Sequence, residues 1–341
     1  MARLCVVCLS VGADKPDNAV ARSMTTQSSA NGDDGARLEL LIKQAAMAQP
    51  LITAVVQPTD SRCLSGAIEA ADRGLIKPIL IGSEARIREA AEDGGVALGR
   101  FDIMPCGSDE EASAQAVHLV RAGRAHALMK GAVHTDVFMK PVVATAGGLR
   151  TARRMSHVFV LDTPAYPRLL LITDAAINIA PDLETKRDIV QNAIDLARAI
   201  GIDPPRVAIV CAVETVTPKL PSTCEAAALC KMADRQQIVG GVLDGPLAFD
   251  NAVSPIAAEA KHIVSSVAGR ADVVVVPDLE AGNMLAKQTE YLAGAHLAGV
   301  VVGARVPIML TSRADSALAR LTSCAVAVLY RRWQLAQAAI A

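Results

Sequence analysis

The chain has 341 residues, of which 52% are hydrophobic, 20% are charged and 2% are aromatic, and its net charge is −1. At about 150 residues per domain, this length predicts roughly two domains with a substantial buried core. The balanced charge argues against a general nucleic-acid or membrane-surface binder, because such proteins carry an excess of basic residues. The few aromatic residues leave little stacking surface for single-stranded nucleic acid. Apolar runs are shorter than about 18 residues, so we expect no membrane-spanning helix.

The eight cysteines are scattered, and the six histidines show no spacing typical of metal ligands. Cys5 and Cys8 form a C-x-x-C pair, but no second pair follows, which makes a zinc or redox site there a weak hypothesis. The spacings do not fit the disulfide framework of a small secreted domain. We therefore expect free thiols in a cytoplasmic protein and no bound metal ion.

Residues 1–35 differ in composition from the rest of the chain. Residues 4–12 are apolar and follow Arg3, but no clear small-x-small cleavage site comes directly after them. The segment 25–35 is rich in Ser, Thr, Asn, Asp and Gly, which is typical of disorder. We predict that residues 1–35 form a disordered tail without a role in the fold.

From about residue 38, short apolar runs alternate with segments of helical periodicity. Strands are predicted at 51–56, 78–81, 125–129, 158–161, 169–172, 207–211, 273–276, 300–302 and 307–310. Helices are predicted at 61–73, 84–92, 109–122, 184–200, 223–233, 255–266, 281–292 and 314–329. This alternation indicates βαβ units and a mostly parallel sheet. A turn-forming segment separates 158–161 from 169–172, so we expect these two runs to form an antiparallel hairpin.

Two glycine-containing segments divide the chain into two predicted domains. Gly147 and Gly148 suit a crossing into a second domain, and the glycines at 299 and 303 suit the return. Domain I is then 36–148 plus 302–341, and domain II is 149–301. Such a double crossing leaves a cleft between the domains, which is a favoured place for ligands.

Polar, glycine-containing segments follow five of the predicted strands. They are the segments 130–135, 173–178, 212–214, 277–283 and 311–316. Because ligands of open α/β sheets sit beyond the carboxyl ends of the strands, we expect these segments to meet in one crevice. Neither G-x-G-x-x-G after a strand nor G-x-x-x-x-G-K-[ST] occurs, so neither a dinucleotide fingerprint nor a P-loop is indicated.

The last of these segments favours an anion, because it opens the final helix. A helix N-terminus offers unpaired N–H groups and a positive dipole end, and the Ser312 hydroxyl and Arg313 guanidinium add donors suited to phosphate. Lys130 and the arginines at 150, 153 and 154 supply further cations.

Structural interpretations of the same residues remain open. Ser312 and Asp315 also suit simple helix caps, and the arginine cluster also suits a solvated surface. His134 after a glycine also suits a turn. The polar residues Asp174, Asn178 and Glu214 also suit structural caps.

Several longer segments resemble the phosphate acetyltransferase/phosphate butyryltransferase family. They are "GLIKPILIG" (74–82), "LMKGAVHTD" (128–136), "TDAAINIAPDLETK" (173–186), "KLPSTCEAAALCKMADRQQIVGGVLDGPLAFDNAVS" (219–254), "VVVPDLEAGNMLAKQ" (274–288) and "VPIMLTSRADS" (306–316). The resemblance extends from about residue 40 to the C-terminus.

This resemblance implies a two-domain α/β fold of the isopropylmalate-dehydrogenase type, with mostly parallel sheets, helices on both faces and an active-site cleft between the domains. It implies a homodimer formed through domain II. The implied reaction is the reversible transfer of a short acyl group, acetyl to butyryl, between CoA and inorganic phosphate. A CoA thiolate attacks the acyl phosphate directly, so CoA, acyl-CoA, phosphate and acyl phosphate are substrates and no cofactor is bound permanently.

The resemblance also implies site residues. Ser312 and Arg313 match a catalytic serine and its neighbouring arginine. In the family, the catalytic acid lies farther along the next helix, where this chain has Ala317 and Ala319. Asp315 is the nearest substitute for that acid, and we predict it as the catalytic carboxylate. The predicted substrate-binding residues are Lys130, Gly131, His134, Thr135, Lys140, Arg154, Asn283, Lys287 and Thr311. Of these, Lys140 precedes a proline where many members have Arg-Pro, so the cation is kept but its bidentate geometry is not.

Two other functions remain as alternatives. The alanines at 317 and 319 suit a non-catalytic CoA- or phosphate-binding homologue that has lost its base. A metal- and NAD-dependent dehydrogenase of the same fold would need a cluster of acidic residues, for which Asp244 and Asp250 are the available candidates.

Overall fold

Eleven strands of the described chain form one mixed sheet. The computed structural model describes residues 35–310 and 315–340. The predictions for the tail, for the Cys5–Cys8 pair and for Thr311, Ser312 and Arg313 therefore lie outside the described residues. No helix in the described ranges combines the length and the apolar character that crossing a membrane requires.

The strands and helices alternate along most of the chain. The strands are β1 Leu51–Val56, β2 Ile76–Gly82, β3 Ile103–Pro105, β4 Ala127–Lys130, β5 Ser156–Asp162, β6 Leu170–Thr173, β7 Arg206–Val210, β8 Val242–Leu247, β9 Val273–Val275, β10 His296–Val302 and β11 Ile308–Met309. The helices are α1 Ala36–Ala46, α2 Ser61–Asp72, α3 Glu84–Gly94, α4 Asp109–Arg121, α5 Thr135–Val143, α6 Leu183–Ala199, α7 Pro221–Asp234, α8 Phe249–Val253, α9 Pro255–Ala260, α10 Leu279–Ala293 and α11 Ala317–Ile340.

Most neighbouring strands of the sheet are parallel. The strand order is β3-β2-β1-β4-β11-β10-β5-β6-β9-β7-β8. Three pairs are antiparallel, namely β11–β10, β10–β5 and β5–β6. The mostly parallel sheet is confirmed. The hairpin expected from 158–161 and 169–172 is also present, since Val158 pairs with Thr173 and Leu161 with Leu170.

The three antiparallel pairs reverse the strand direction in the middle of the sheet. β1 and β4 run parallel to β11, whereas β7 and β9 run parallel to β6. Three reversals separate β11 from β6, so these two groups of strands run in opposite directions. The carboxyl ends of β1, β2, β4 and β11 therefore lie at one edge of the sheet, which we name the β4 edge. Those of β6, β7, β8 and β9 lie at the other, the β6 edge.

Helices cover both faces of the sheet, because alternate side chains of a strand point to opposite faces. In β1, Val55 packs with Leu64 of α2, whereas Val56 packs with Phe138 of α5. Strands buried on both faces read as continuous apolar runs, as the Val273–Val275 segment of β9 does.

The same division holds at the other end of the sheet. In β6, Leu171 packs with Ile189 of α6, whereas Ile172 packs with Ala286 of α10. α6 and α10 therefore lie on opposite faces of β6. The expected arrangement of helices on both faces is confirmed.

Some elements differ from the prediction. The helix predicted at 255–266 ends at Ala260, because His262 takes a positive φ of 53° and the Ser265 hydroxyl accepts the N–H groups of Val267 and Ala268. The helices α1, α5 and α8 and the strands β3 and β8 were not expected. β8 contains the sequence Asp-Gly-Pro, which is typical of a turn, although the segment is extended.

The predicted domain division remains a prediction. Strands β1–β4 and β11 lie at one end of the strand order, and β5–β10 lie at the other. The predicted boundary at 148 falls between these two groups, whereas the boundary at 301 falls one residue before the end of β10. Both groups nevertheless hydrogen-bond into one continuous sheet through Val301 and Ile308.

We predict that Leu64→Ala lowers the free energy of unfolding by about 2–5 kcal/mol, because Leu64 is fully buried and its loss leaves a cavity. The matched control is Leu40→Ala on α1, where the side chain is 55% exposed and the change should stay within about 0.5 kcal/mol. Urea unfolding followed by circular dichroism measures both. Equal effects of the two variants would contradict the described packing of α2.

Candidate functional site

The loop after β4 is fixed against the end of β1. The N–H of Gly131 donates to the Val56 carbonyl at 2.8 Å, and the N–H of Ala132 donates to the Gln57 carbonyl at 2.7 Å. A Cβ atom on Gly131 would lie 2.3 Å from the Gln57 carbonyl oxygen. Only glycine therefore allows this approach, so the predicted residue Gly131 has a backbone role that a side chain would destroy.

Lys130 ends β4 and lies over the same loop. Its ammonium group donates to the carbonyls of Gly131 at 3.3 Å and of Val133 at 3.2 Å. These bonds hold a positive charge at the β4 edge, half-buried. Lys130 and Gly131 thus lie at the carboxyl end of β4, where the sequence analysis placed them.

α5 begins directly after this loop. His134 precedes the helix, and its carbonyl accepts the N–H of Phe138 at 3.0 Å. The side chains of His134, Thr135 and Lys140 are exposed. His134 therefore occupies the turn before the helix, as the structural interpretation expected, while its ring remains accessible at the β4 edge.

A buried arginine that the sequence analysis missed lies near Lys130. Arg320, in the first turns of α11, is only 4% exposed. Its stem occupies the space beside Gly66, where a Cβ atom would lie 2.8 Å from the arginine Cδ. The positive charges of Arg320 and Lys130 both act on the buried Cys63 thiol at the start of α2, although burial dominates and raises the pKa of that thiol. Two cations therefore act on this thiol, while the Asp60 carboxylate caps the N-terminus of α2 by accepting the N–H groups of Arg62 and Cys63.

Asp315 lies immediately before α11 and interacts with α10. Its negative charge, together with burial, raises the pKa of the Glu290 carboxyl above its usual range, while the Lys287 ammonium acts in the opposite direction. The charges of the predicted residues Asp315 and Lys287 therefore both act on Glu290. Sequence analysis missed Glu290, since a Glu on an amphipathic helix carries no distinguishing signal.

The loop after β6 is organised by one carboxylate. Asp174 is 3% exposed and accepts the N–H groups of His157, Ala176, Ile177 and Asn178, and also the side-chain amide of Asn178, at 2.6–3.1 Å. That amide also donates to the Met155 carbonyl at 2.8 Å. Asp174 and Asn178 therefore have the structural roles that the sequence left open.

The imidazole beside this carboxylate is neutral. His157 is fully enclosed, and burial lowers its pKa to about 4, against the opposing influence of Asp174. Phe159 packs edge-on against the ring at 4.4 Å between centroids, and a Cβ atom on Gly299 would lie 2.7 Å from Nε2. His157 is therefore a core residue with no access to a ligand.

Asn283 belongs to the β6 edge. Its side-chain amide donates to the Ala175 carbonyl at 3.2 Å, and a Cβ atom on its neighbour Gly282 would lie 2.6 Å from the Asp174 carbonyl oxygen. This close packing fixes the start of α10 against the loop after β6. Asn283 therefore lies with Asp174, whereas the loop after β4 lies at the opposite edge.

Arg154 also lies at the β6 edge. It lines a polar cavity of about 250 Å³ with Arg150, Arg153 and Arg187 beside the start of α6. Arg153 pairs with Asp195, and Arg187 pairs with Asp188. Arg153 and Arg187 are therefore exposed side chains whose carboxylate partners, Asp195 and Asp188, are buried in α6.

The remaining acidic candidates make local contacts. Glu214 pairs with Lys261 at 2.9 Å. Asp244 and Asp250 each accept the N–H of the next residue at 2.8 Å. In the ranges 35–310 and 315–340, no group of three or more His, Cys, Asp or Glu side chains is arranged to hold a metal ion.

Comparison with known proteins gives the family. The family model described as "Phosphate acetyl/butaryl transferase" matches residues 108–328. A "Phosphate acetyltransferase" of Rhizobium meliloti is 60% identical over 294 residues, which are 86% of this chain and 93% of that protein. A "Phosphate butyryltransferase" of Clostridium acetobutylicum is 42% identical over 276 residues, 81% of this chain and 92% of that protein.

A solved structure has the same fold. The branched-chain phosphotransacylase from Enterococcus faecalis V583 superposes with a TM-score of 0.72 at 29% identity, covering 82% of this chain and 99% of that one. The match therefore extends over both ends of the sheet. The chain belongs to the phosphate acetyl/butyryl transferase family.

Proposed function

We propose that this phosphate acyltransferase moves a short acyl group, from acetyl to butyryl, reversibly between CoA and inorganic phosphate. One observation carries the proposal: relatives named phosphate acetyltransferase and phosphate butyryltransferase are 60% and 42% identical over more than four fifths of the chain. Because acetyltransferases and butyryltransferases both resemble this chain, the preferred acyl group depends on the pocket that holds the acyl chain. The dehydrogenase and the non-catalytic homologue are not favoured by these relatives.

In the proposed mechanism, CoA loses its thiol proton and the thiolate attacks the carbonyl carbon of the acyl phosphate. A C–S bond forms, the C–O bond to phosphate breaks, and phosphate leaves. A free thiol has a pKa of about 8.5, so a base at the site raises the thiolate fraction at neutral pH. The charge on the tetrahedral oxygen needs positioned donors, each worth a few kcal/mol.

The proposed roles follow the predicted residues. Ser312 stabilises the tetrahedral state, and Arg313 holds the phosphate, with Thr311 beside them. The position of Lys130 supports a place for its ammonium in the same site, because β4 and β11 are parallel neighbours and β11 ends at Met309, shortly before Thr311 in the sequence. The further proposed substrate contacts are Gly131, His134, Thr135, Lys140, Arg154, Asn283 and Lys287. Of these, Arg154 and Asn283 lie at the β6 edge, opposite the loop after β4.

We further propose that the protein acts in the cytoplasm, without a permanent cofactor, as a homodimer formed through residues 149–301. Large exposed apolar side chains in this range support a dimer. Ile256 is 80% exposed and Leu292 is also 80% exposed. Such side chains favour a partner surface, because water solvates them poorly.

The proposed reaction predicts CoA-dependent turnover of acyl phosphates. A purified sample should form acyl-CoA and phosphate from CoA and at least one acyl phosphate from acetyl to butyryl. The assay follows thioester absorbance across the series, which also gives the preferred chain length. Folded protein that is inactive on every member would refute the proposal, and CoA binding without turnover would favour the non-catalytic homologue.

We predict that Arg313→Ala raises the apparent KM for phosphate and for acyl phosphate by about ten-fold or more, because a charge-assisted contact worth about 1.5–3 kcal/mol is lost. The matched control is Arg88→Ala on α3, an arginine that is 59% exposed and paired with Glu84. Initial rates at varied phosphate concentration measure both variants. Unchanged kinetics of Arg313→Ala would remove its proposed role.

The proposed dimer predicts a solution mass of twice the 35.5 kDa chain. Sedimentation equilibrium measures it over a range of protein concentrations. Ile256→Asp would shift the equilibrium towards monomer if this side chain lies in the interface. A wild-type protein with the mass of one chain at all concentrations would contradict the dimer.

A further inference from the structure

A cavity of about 490 Å³ lies away from the residues proposed for acyl transfer. Its walls come from the segment that links α1 to β1, from His126 just before β4 and from one side of α11. The volume falls within the range of roughly 300–1,000 Å³ that is usual for small-molecule sites. The cavity is therefore large enough to hold a ligand.

The cavity lies at the end of β4 that is remote from Lys130. β1 and β4 are parallel, so the segments that precede them, which line the cavity, lie at the β6 edge rather than at the β4 edge. His126 and Lys130 are four positions apart, which corresponds to about 13 Å along the strand. Across the sheet, β11, β10 and β5 separate β4 from β6, which corresponds to about 19 Å. The cavity is therefore distinct both from the loop after β4 and from the Asp174 loop.

The side of α11 that lines the cavity has mixed chemistry. Its four lining residues are spaced i, i+3, i+4 and i+7, which places them on one side of a helix. Val328 and Leu335 at the ends of this row are apolar, whereas Arg331 and Arg332 between them are cationic. Met47, which is 80% exposed, adds an apolar side chain from the end of α1. The wall thus combines positive charge with apolar surface.

The Arg331 guanidinium is only partly satisfied by the protein. Its Nη1 donates to the Arg305 carbonyl at 3.1 Å and to the Gln334 side-chain oxygen at 3.2 Å. Its Nε is buried and has no acceptor among the residues that the structure describes. Burial also lowers the pKa of this guanidinium, and the opposing influence comes from Tyr330 rather than from a carboxylate. Because a buried N–H without an acceptor costs free energy, an acceptor at the Nε–Nη2 side would be favourable.

The positive charge of the cavity has no acidic counterpart. Within the described ranges, neither Arg331, Arg332 nor His126 forms an ion pair. The described lining also contains no Asp or Glu. The arginine-lined cavity beside α6 differs in this respect, because Arg153 and Arg187 each have a carboxylate partner there. An anion that enters the cavity beside α11 therefore meets cations without competing carboxylates.

We propose that this cavity binds a small organic anion, namely a carboxylate or phosphate head group on an apolar chain. The head group accepts from the Nε–Nη2 side of Arg331, Arg332 adds a second positive charge, and the chain packs against Met47 and Leu335. A guanidinium suits both head groups, because two oxygens of either one can accept two parallel N–H bonds. This site is independent of the proposed acyl transfer, since it and Lys130 lie at opposite ends of β4.

The first test is the binding of sodium octanoate and of octyl phosphate to the full chain, measured by isothermal titration calorimetry. We expect one molecule to bind per chain, and the tighter of the two probes identifies the head group. Acetate lacks the chain and 1-octanol lacks the charge, so each should bind about ten-fold or more weakly. Failure of both octyl anions to bind, or an equal affinity for 1-octanol, would overturn the proposal.

The second test uses charge variants of the cavity wall. Gln49→Glu introduces a negative charge at an exposed loop position of the lining, so we expect the affinity for the octyl anion to fall by about five-fold or more. The matched control is Gln44→Glu on α1, an exposed position outside the lining, which should leave the affinity unchanged. Arg331→Lys keeps the charge but removes the guanidinium, so it should also weaken binding. Wild-type affinity in Gln49→Glu would contradict the assigned location.

A third measurement locates the bound probe directly. Carbon-13 labelling of the methionine methyl groups gives one NMR signal for each methionine, and Met47→Leu and Met284→Leu assign the two that matter. Saturating octyl anion should shift the Met47 signal and leave the Met284 signal in place. Both side chains are exposed, Met284 being 64% exposed on α10, so solvent exposure alone does not account for a difference. A bound probe that leaves the Met47 signal unshifted would overturn the proposal, whether or not the protein transfers acyl groups.

Discussion

The reversal of strand direction at β10 and β5 determines at which edge of the sheet each polar loop lies. A parallel sheet normally collects its loops at one edge, because all the strands end there. Here the antiparallel pairs β11–β10, β10–β5 and β5–β6 turn the second half of the sheet around. The polar loops consequently form two groups at opposite edges, and α10 is the helix that carries side chains from one group towards the other.

The two edges differ in their polar chemistry. At the β6 edge, Asp174 is saturated by N–H donors, so its charge stabilises a loop. At the β4 edge, Lys130 lies over its loop and Arg320 is buried beside Gly66. A carboxylate whose oxygens accept backbone N–H groups stabilises the fold, whereas cations beside a helix N-terminus suit a phosphoryl group. Lys130 and Arg320 therefore support the proposal that acyl transfer takes place at the β4 edge.

Much of the fold could be predicted from the sequence, because apolar strands such as Leu51–Val56 and helices such as Ser61–Asp72 have strong periodicity. β8 was missed because its Asp-Gly-Pro segment looks like a turn, and only pairing with β7 makes it extended. α5 was missed because Pro141 lies inside it. These elements depend on tertiary contacts that local propensity does not encode.

The site was only partly predictable for a related reason. Lys130 and Gly131 were found because they lie where β4 ends, and their role as substrate contacts stays a prediction. Arg320 was missed because a charged residue on a helix normally faces solvent, and only the neighbouring elements bury it. The expectation of one crevice assumed that the strands keep one direction, and a sequence does not state how its sheet is ordered.

The five donors around Asp174 also constrain how this chain can change over time. The donors are four backbone N–H groups and the side-chain amide of Asn178. A substitution that shortens or neutralises Asp174 therefore leaves several donors without their hydrogen-bond acceptor at once. Neighbours that share one acceptor are not independent, and their substitution effects do not add. Sequence drift in the turn after β6 should therefore proceed by concerted replacements, leaving this stretch among the slowest to diverge.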